Sequence, residues 1–414
     1  MKRYQLSILC ALFLSSCDRT VETDTPPTET METDKAFDML WATRVEFEKE
    51  IVGTDNTQEY GDHVLVGGDI GFPATILGFN KDTGEKDWEF VYKELGDSRI
   101  DYSLLEDHYY IAITGRAIFV YDLQNRIVLW TYGFIDEGGY QREKGPVYHD
   151  GRIYIEVVRG LHEDWRTTSM MSFDLLTGER RIDYHAPTDS LGGKALSPPV
   201  FHYDSDEEKE LMIFNEWPNA LSVPEEGRQD MVCIDSKTGE TIWRTKDITK
   251  EFSANALFPP VLYNNVVITG AAWNMVGLDA RTGEHLWTYA FDYPWNIWNK
   301  TNHLIHGDRL YVNNGQHDVT CLNPETGELI WNNPEGGANC TDNMVYYDKE
   351  DLLVFTSWGY GSVMILDAIT GQTIHREHQF ENSQYNNDVV YDDERDLFFT
   401  STYKHTVAFK VSRP

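Results

Sequence analysis

One phrase recurs along this chain and decides most of what it can fold into. It runs Asp or Asn, two residues, Thr-Gly-Glu, two residues, Trp. It reads Asn80…Thr83-Gly84-Glu85…Trp88, Asp235…Thr238-Gly239-Glu240…Trp243, Asp279…Thr282-Gly283-Glu284…Trp287 and Asn323…Thr326-Gly327-Glu328…Trp331. Weaker copies are Asp122…Trp130, with Asn125-Arg126 in place of Thr-Gly, Asp174…Thr177-Gly178-Glu179…Ile182, and Asp367…Thr370-Gly371-Gln372…His375. The anchors at 80, 122, 174, 235, 279, 323 and 367 are spaced by 42, 52, 61, 44, 44 and 44. A base period near 44 marks an array of one supersecondary unit.

The phrase is a hairpin. Apolar alternation before the anchor predicts a strand, Asp or Asn opens a turn through its own side chain, and Gly supplies positive φ. The next strand carries Trp, whose ring packs on a neighbour and whose N–H needs a partner. Two further strand signals precede each phrase, such as Val261-Leu262-Tyr263 and Val266-Val267-Ile268-Thr269 before Asp279. Four strands per repeat make a propeller blade. An eighth copy is split: residues 388–391, 397–400 and 407–409 supply three strands, and residues 38–48, with Trp41, supply the fourth. The expected fold is all-β, a single eight-bladed propeller over 36–414, closed by strands from both ends, which removes the free edge.

The phrase resembles the repeat of pyrroloquinoline-quinone (PQQ)-type β-propellers over nearly all of 36–414. That resemblance implies one of two functions: a dehydrogenase with PQQ and Ca²⁺ in the central channel, or a non-catalytic lipoprotein similar to BamB, a propeller of the outer-membrane β-barrel assembly machinery. The motif residues Trp41, Trp88, Trp130, Trp243, Trp287 and Trp331, with Gly84, Gly178, Gly239, Gly283, Gly327 and Gly371, are expected to hold blades together. They identify the fold and not the function.

The N-terminus reads as a targeting signal. Lys2 and Arg3 precede a short apolar run, and Leu14-Ser15-Ser16-Cys17 resembles the bacterial lipobox, in which the cysteine is lipidated. Residues 1–17 are the expected signal, Cys17 the lipidation site, and the Thr/Pro/acidic stretch 18–35 a disordered tether. Of the remaining cysteines, Cys233 and Cys321 share one repeat position and Cys340 stands apart; three cannot form a disulfide framework. With Lys+Arg 35 against Asp+Glu 68, the net charge of −33 excludes nucleic acid or an anionic lipid surface as the main partner.

Blade geometry sorts the loops. The Asp-Thr-Gly turns fall on one face, and the loops between the second and third strands and between blades fall on the other. Insertions at 158–169 and 215–230 lengthen that second face, which also gathers aromatic residues. Trp165, Trp217, Trp273, Trp295, Trp298, Trp358, Tyr360 and Tyr403 are the candidate binding face. Asn382, Asn386, Asn387 and Asp388, or Asn339 and Asp342, could hold Ca²⁺, although turn residues explain them more simply. The vicinal cysteine pair usual in the dehydrogenases and a haem-type Cys-x-x-Cys-His are both missing. His303 and His306 point to opposite sides of a strand, and His162 and His202 lack a partner at ligand spacing. Gly-x-Ser-x-Gly and His-Glu-x-x-His do not occur. The acidic runs Asp204–Glu210 and Asp392–Asp396 are expected to be solvated hairpin tips.

These features lead to an envelope lipoprotein, favoured at the periplasmic face of the outer membrane, with the cell surface and the inner membrane as the alternative placements. It is expected to be a monomeric propeller that carries no cofactor and docks envelope proteins, the β-barrel assembly machinery among them. The alternatives are a saccharide- or small-ligand-binding lipoprotein and a PQQ/Ca²⁺-dependent dehydrogenase.

Overall fold

Each anchor builds its own turn. At Asp279 the carboxylate Oδ1 accepts the Arg281 and Thr282 amides at 3.0 and 2.8 Å and the Thr282 hydroxyl at 2.9 Å. The Thr282 hydroxyl in turn accepts the Glu284 amide at 3.2 Å. Gly283 then sits at φ +72°, in the left-handed region that favours glycine. Asn80, Asp174, Asp235, Asn323 and Asp367 hold equivalent turns. In the weak second copy Arg126 takes the glycine's place at φ 56°.

The computed structural model describes residues 36–45, 54–68, 73–95, 100–134, 139–140, 145–159, 167–187, 194–218, 229–248, 260–271, 274–291, 303–313, 318–337, 340–357, 360–385 and 387–414. They form eight antiparallel sheets, each a meander running outward through the sheet. Blade 1 comprises Thr54–Tyr60, His63–Gly68, Ala74–Asn80 and Lys86–Tyr92. Blades 2, 5, 6 and 7 repeat this order of four strands. In blades 3 and 4 the innermost strand is in two pieces, Gly139–Tyr140 with Val147–His149 and Lys194–Leu196 with Val200–Asp204. Both pieces pair with a lengthened second strand, Arg152–Arg159 or Lys209–Pro218. Blade 8 orders Val390–Asp392, Leu397–Ser401 and His405–Val411 from the inside, and its outermost strand is Phe37–Arg44. That strand pairs antiparallel from Phe37↔Val411 to Arg44↔His405, so the two ends of the propeller share one blade, as the split repeat predicts.

The core lies between blades. Ile111, Ile113 and Val120 of blade 2 pack on Ile153, Met171 and Phe173 of blade 3. Val64, Val66 and Phe79 of blade 1 pack on Leu397, Phe399 and Ala408 of blade 8. Toward the rim, tryptophan takes over. Trp243 donates Nε1–H to the Ala280 carbonyl of the next blade at 3.1 Å, and its ring lies on Gly283, where an added Cβ would stand 2.5 Å from Cε3. Trp41 on Gly84, Trp130 on Gly178, Trp287 on Gly327 and Trp331 on Gly371 repeat the ring contact.

Two seams differ. In blade 3, Ile182 stands where the phrase has Trp and is 41% exposed. Gly239 of blade 4 meets the Asp183 carbonyl instead, and Arg181 Nη2 donates to the Ser236 carbonyl at 3.3 Å. A guanidinium thus replaces the indole donor. In blade 7, His375 stacks on Phe37 of the closing strand, centroids 5.9 Å apart.

Candidate interaction site

The inter-strand turns of blades 4 and 8 do more than cap hairpins. Asp392, last residue of the innermost strand of blade 8, is 3% exposed and accepts a hydrogen bond from Lys81 Nζ of blade 1 at 2.7 Å. Lys81 also reaches Glu59 at 3.3 Å. Arg395 spans the same seam, with Asp62 at 2.5 Å, Asp82 at 3.2 Å and Asp392 at 3.2 Å. In blade 4 the equivalent Asp204 is 6% exposed and accepts from Arg281 Nε of blade 5 at 3.1 Å. Across the blade 3–4 seam, His149 stacks on Phe201 with centroids 3.9 Å apart, and its Nε2 lies 2.7 Å from Glu210. The expectation of solvated tips therefore fails for Asp204, Glu210 and Asp392. These acids face cations or an imidazole across seams, which alternation within one hairpin does not reveal. Burial alone would raise the Asp392 pKa; the Lys81 and Arg395 hydrogen bonds and charges outweigh it and leave the carboxyl below its usual range. Burial raises Glu59, which Lys81 only partly offsets.

A second polar network links blades 3 and 4 nearer the opposite face. Glu216 is 1% exposed; it accepts the Tyr184 hydroxyl at 2.7 Å and Arg244 Nη1 at 2.7 Å. Arg244 Nη2 donates to the Tyr184 oxygen at 2.7 Å, and Nη1 to Asp230 at 3.2 Å. Burial, then Glu216, pushes the Tyr184 hydroxyl above its ordinary value.

The second strands of blades 3 and 4 end at Arg159 and Pro218 and the third strands begin at Thr167 and Asp230, at the strand ends away from the Asp-Thr-Gly turns; residues 160–166 and 219–228 lie outside the described residues. Trp217 corrects the aromatic face. The lengthened strand Lys209–Pro218 carries it into register with Ala195, where it is 3% exposed and packs as core. Tyr360 is half-buried, with the Arg376 guanidinium carbon 3.4 Å from its ring centroid. Tyr403 is half-buried and donates its amide to the Gln384 carbonyl at 3.2 Å. Trp165, Trp273, Trp295, Trp298, Trp358 and Cys17 lie outside the described residues.

Among the described residues no group of three or more His, Cys, Asp or Glu side chains could hold a metal ion. Asn387 is fully buried and its carbonyl accepts the Thr356 and Thr400 hydroxyls at 2.7 and 3.2 Å. Asn382 sits in an exposed turn at φ 57°. Asn386, Asn339 and the side chain of Asp342 lie outside the described residues. Cys233 and Cys321 are buried free thiols; burial pushes Cys321 up to about 12 and raises Cys233 further, which makes both unreactive core residues. The Cys340 side chain is outside the described residues.

Sequence reading passed over Lys81, Arg281 and Arg395. The first two follow an anchor by one and two residues, so aligning the turns column by column would have singled them out.

Comparison with known proteins agrees with this architecture. Residues 219–413 match the family model of the outer membrane protein assembly factor BamB. A quinoprotein ethanol dehydrogenase from Pseudomonas putida is 36% identical over 76 residues, 17% of this chain and 12% of that protein. BamB from Moraxella catarrhalis superposes with a TM-score of 0.59 at 12% identity, covering 90% of this chain and 99% of that one. Quinohemoprotein alcohol dehydrogenase from Comamonas testosteroni superposes at 0.65 and 9% identity, covering 91% and 77%. Likeness at this identity shows the fold alone.

Proposed function

Starting from the premise that the chain is a PQQ-type, BamB-like β-propeller, we propose that it is an envelope lipoprotein acting as a protein-interaction scaffold, with no chemistry of its own. The observation that carries this reading is how the described acids are used. Asp392, Asp204 and Glu216 are buried and each is matched by a lysine or arginine, so these carboxylates are engaged in joining and bracing blades. Nothing in that arrangement leaves them available as an acid, a base or a metal ligand.

In this reading Cys17 carries the lipid and 18–35 is the tether. The propeller docks envelope proteins, such as the β-barrel assembly machinery, through the face opposite the Asp-Thr-Gly turns. Among the described residues no helix is long and apolar enough to cross a membrane, so the lipid would supply the attachment. A net charge of −33 favours a basic docking surface on the partner and an association that weakens with salt.

The test is a tagged pull-down of the full-length chain after mild crosslinking in cells, beside a Cys17→Ala control. Recovery of one fixed envelope complex, reduced in the control, is expected. Recovery of the chain alone under several crosslinkers would sink the scaffold reading.

A second reading rests on the dehydrogenase match over 76 residues. In that reading the channel takes up PQQ with Ca²⁺. A quinone absorbance that appears on adding PQQ and depends on Ca²⁺ would establish it, and its absence would remove it. Saccharide binding at the aromatic face would instead change tryptophan fluorescence on titration with sugars.

A further inference from the structure

The repeat provides an internal control for one cation. Nine residues past the anchor, blades 4 and 7 both carry arginine: Arg244 follows Asp235 and Arg376 follows Asp367. Their registers correspond, Val232↔Arg244 and Met364↔Arg376. In blade 4 the guanidinium finds its counter-charge within the blade, in Glu216 and Asp230, which face each other across the second and third strands. The same register pair in blade 7 is Ser357↔Ser362, both fully buried. Two carboxylates have become two hydroxyls, while the arginine remains.

Arg376 is half-buried, and among the described residues it has neither an ion pair nor a hydrogen bond. Its Nε is buried and donates to nothing. What it does have is Tyr360, whose ring centroid lies 3.4 Å from the guanidinium carbon. Tyr360 belongs to the connection between Leu352–Ser357 and Ser362–Asp367, on the face opposite the Asp-Thr-Gly turns. A covered cation without a counter-ion is costly, and a guanidinium stacked on an aromatic ring is pre-organised for a planar anion.

We propose that Arg376, capped by Tyr360, is a carboxylate-recognition site in which a ligand's carboxylate takes the place that Glu216 holds in blade 4. The blade 4 slot shows that a carboxylate fits a guanidinium at this register. A single arginine neutralises a monoanion, whereas a phosphate dianion would leave charge over in a chain that is already strongly acidic. The site goes beyond the scaffold reading and does not depend on it, because a small carboxylate is enough to test it.

The experiment follows the Arg376 side-chain Nε–H resonance of the full chain, assigned by its loss in Arg376→Gln. Probes are N-acetylglutamate, its uncharged isostere N-acetylglutamine, inorganic phosphate, and a short acidic peptide. A saturable shift with N-acetylglutamate is expected, with Kd in the range of about 1–10 mM for one charge-assisted contact. By calorimetry, Arg376→Gln should bind at least about tenfold more weakly, and Arg376→Lys should fall between, because it keeps the charge and loses the fork. If the Gln variant does not fold, the Lys variant carries the comparison. Equal binding of peptide and small carboxylate would assign the site to free carboxylates; a peptide at least about tenfold tighter would assign it to a polypeptide. No shift with any carboxylate, an equal response to the isostere or to phosphate, or undiminished binding by the variants would overturn the proposal.

Discussion

Lys81 Nζ and Asp392 Oδ2 lie 2.7 Å apart across 311 positions of sequence, with side chains 4% and 3% exposed. The Lys81 carbonyl accepts the Trp41 indole N–H at 2.9 Å. One residue of blade 1 therefore holds both components of blade 8: the strand from the N-terminal side through Trp41 and the C-terminal strands through Asp392. This is the seam where the array closes, and charge latches it in addition to the apolar packing and the tryptophan contact that it shares with other seams.

Breaking the pair from one side should open that seam. Asp392→Ala leaves a buried ammonium with only the half-exposed Glu59, and is expected to cost about 3–5 kcal/mol. Replacing both partners, Lys81→Met with Asp392→Leu, should cost clearly less, because no charge is left stranded. Urea unfolding of the parent, the single variant and the double variant checks this. Equal losses in the single and double variants would mean that the pair is not coupled.

The same pair sets an acid response. The Asp392 pKa is lowered in the fold, so its contribution is complete above the unfolded value near ~3.9 and is lost as pH falls through the lower folded value. Glu59, raised by burial, works in the opposite sense and gains on acidification. The difference in stability between the parent and Asp392→Asn should therefore be constant above about pH 5 and shrink below about pH 4. Denaturation midpoints measured across that window decide it; a difference that grows toward acid would contradict the assigned shift.

The glycine column of the turn should give opposite signs at two of its positions. Gly283→Ala forces a side chain to φ +72° and drives Cβ to within 2.5 Å of Trp243, so a loss of about 2–4 kcal/mol is expected. Arg126 already bears that conformation at φ 56°, so Arg126→Gly should stabilise by up to about 1 kcal/mol. Thermal midpoints moving in the same direction would contradict the left-handed backbone as the common cause at the two positions.

Much of this architecture was legible because the phrase reports local physics. An Asp that caps its own turn, a Gly at positive φ and a Trp eight positions past the anchor place the strands, and the split copy placed the closure. The seams were not legible, because their partners are remote. Nothing near Asp392 indicates Lys81, and nothing near Trp217 indicates that a strand lengthened to Pro218 folds the indole onto Ala195. Arg376 became informative only beside Arg244, after the register had been fixed.

The copy that departs furthest from the phrase gives the strictest test of it. In the other complete outer strands the residue before the Trp or His position drops out of register, as Ile242 does between Thr241 and Trp243. In blade 3 the irregularity moves to Asp183, between Ile182 and Tyr184. That shift turns Ile182 outward and seats Asp183 against Gly239, with Arg181 holding the Asp183 carboxylate at 2.5 Å while it reaches Ser236. Trp243→Ala should therefore cost about 3–5 kcal/mol, while Ile182→Ala at the matching repeat position should cost no more than about 0.5 kcal/mol. Arg181→Ala should cost about 1–3 kcal/mol, because it removes the ion pair of the buried Asp183. Ile182→Trp should not restore a tryptophan seam, since the strand no longer aims that position at the next blade. Urea midpoints for the four variants would show it, and a stabilising Ile182→Trp would refute the displaced bulge.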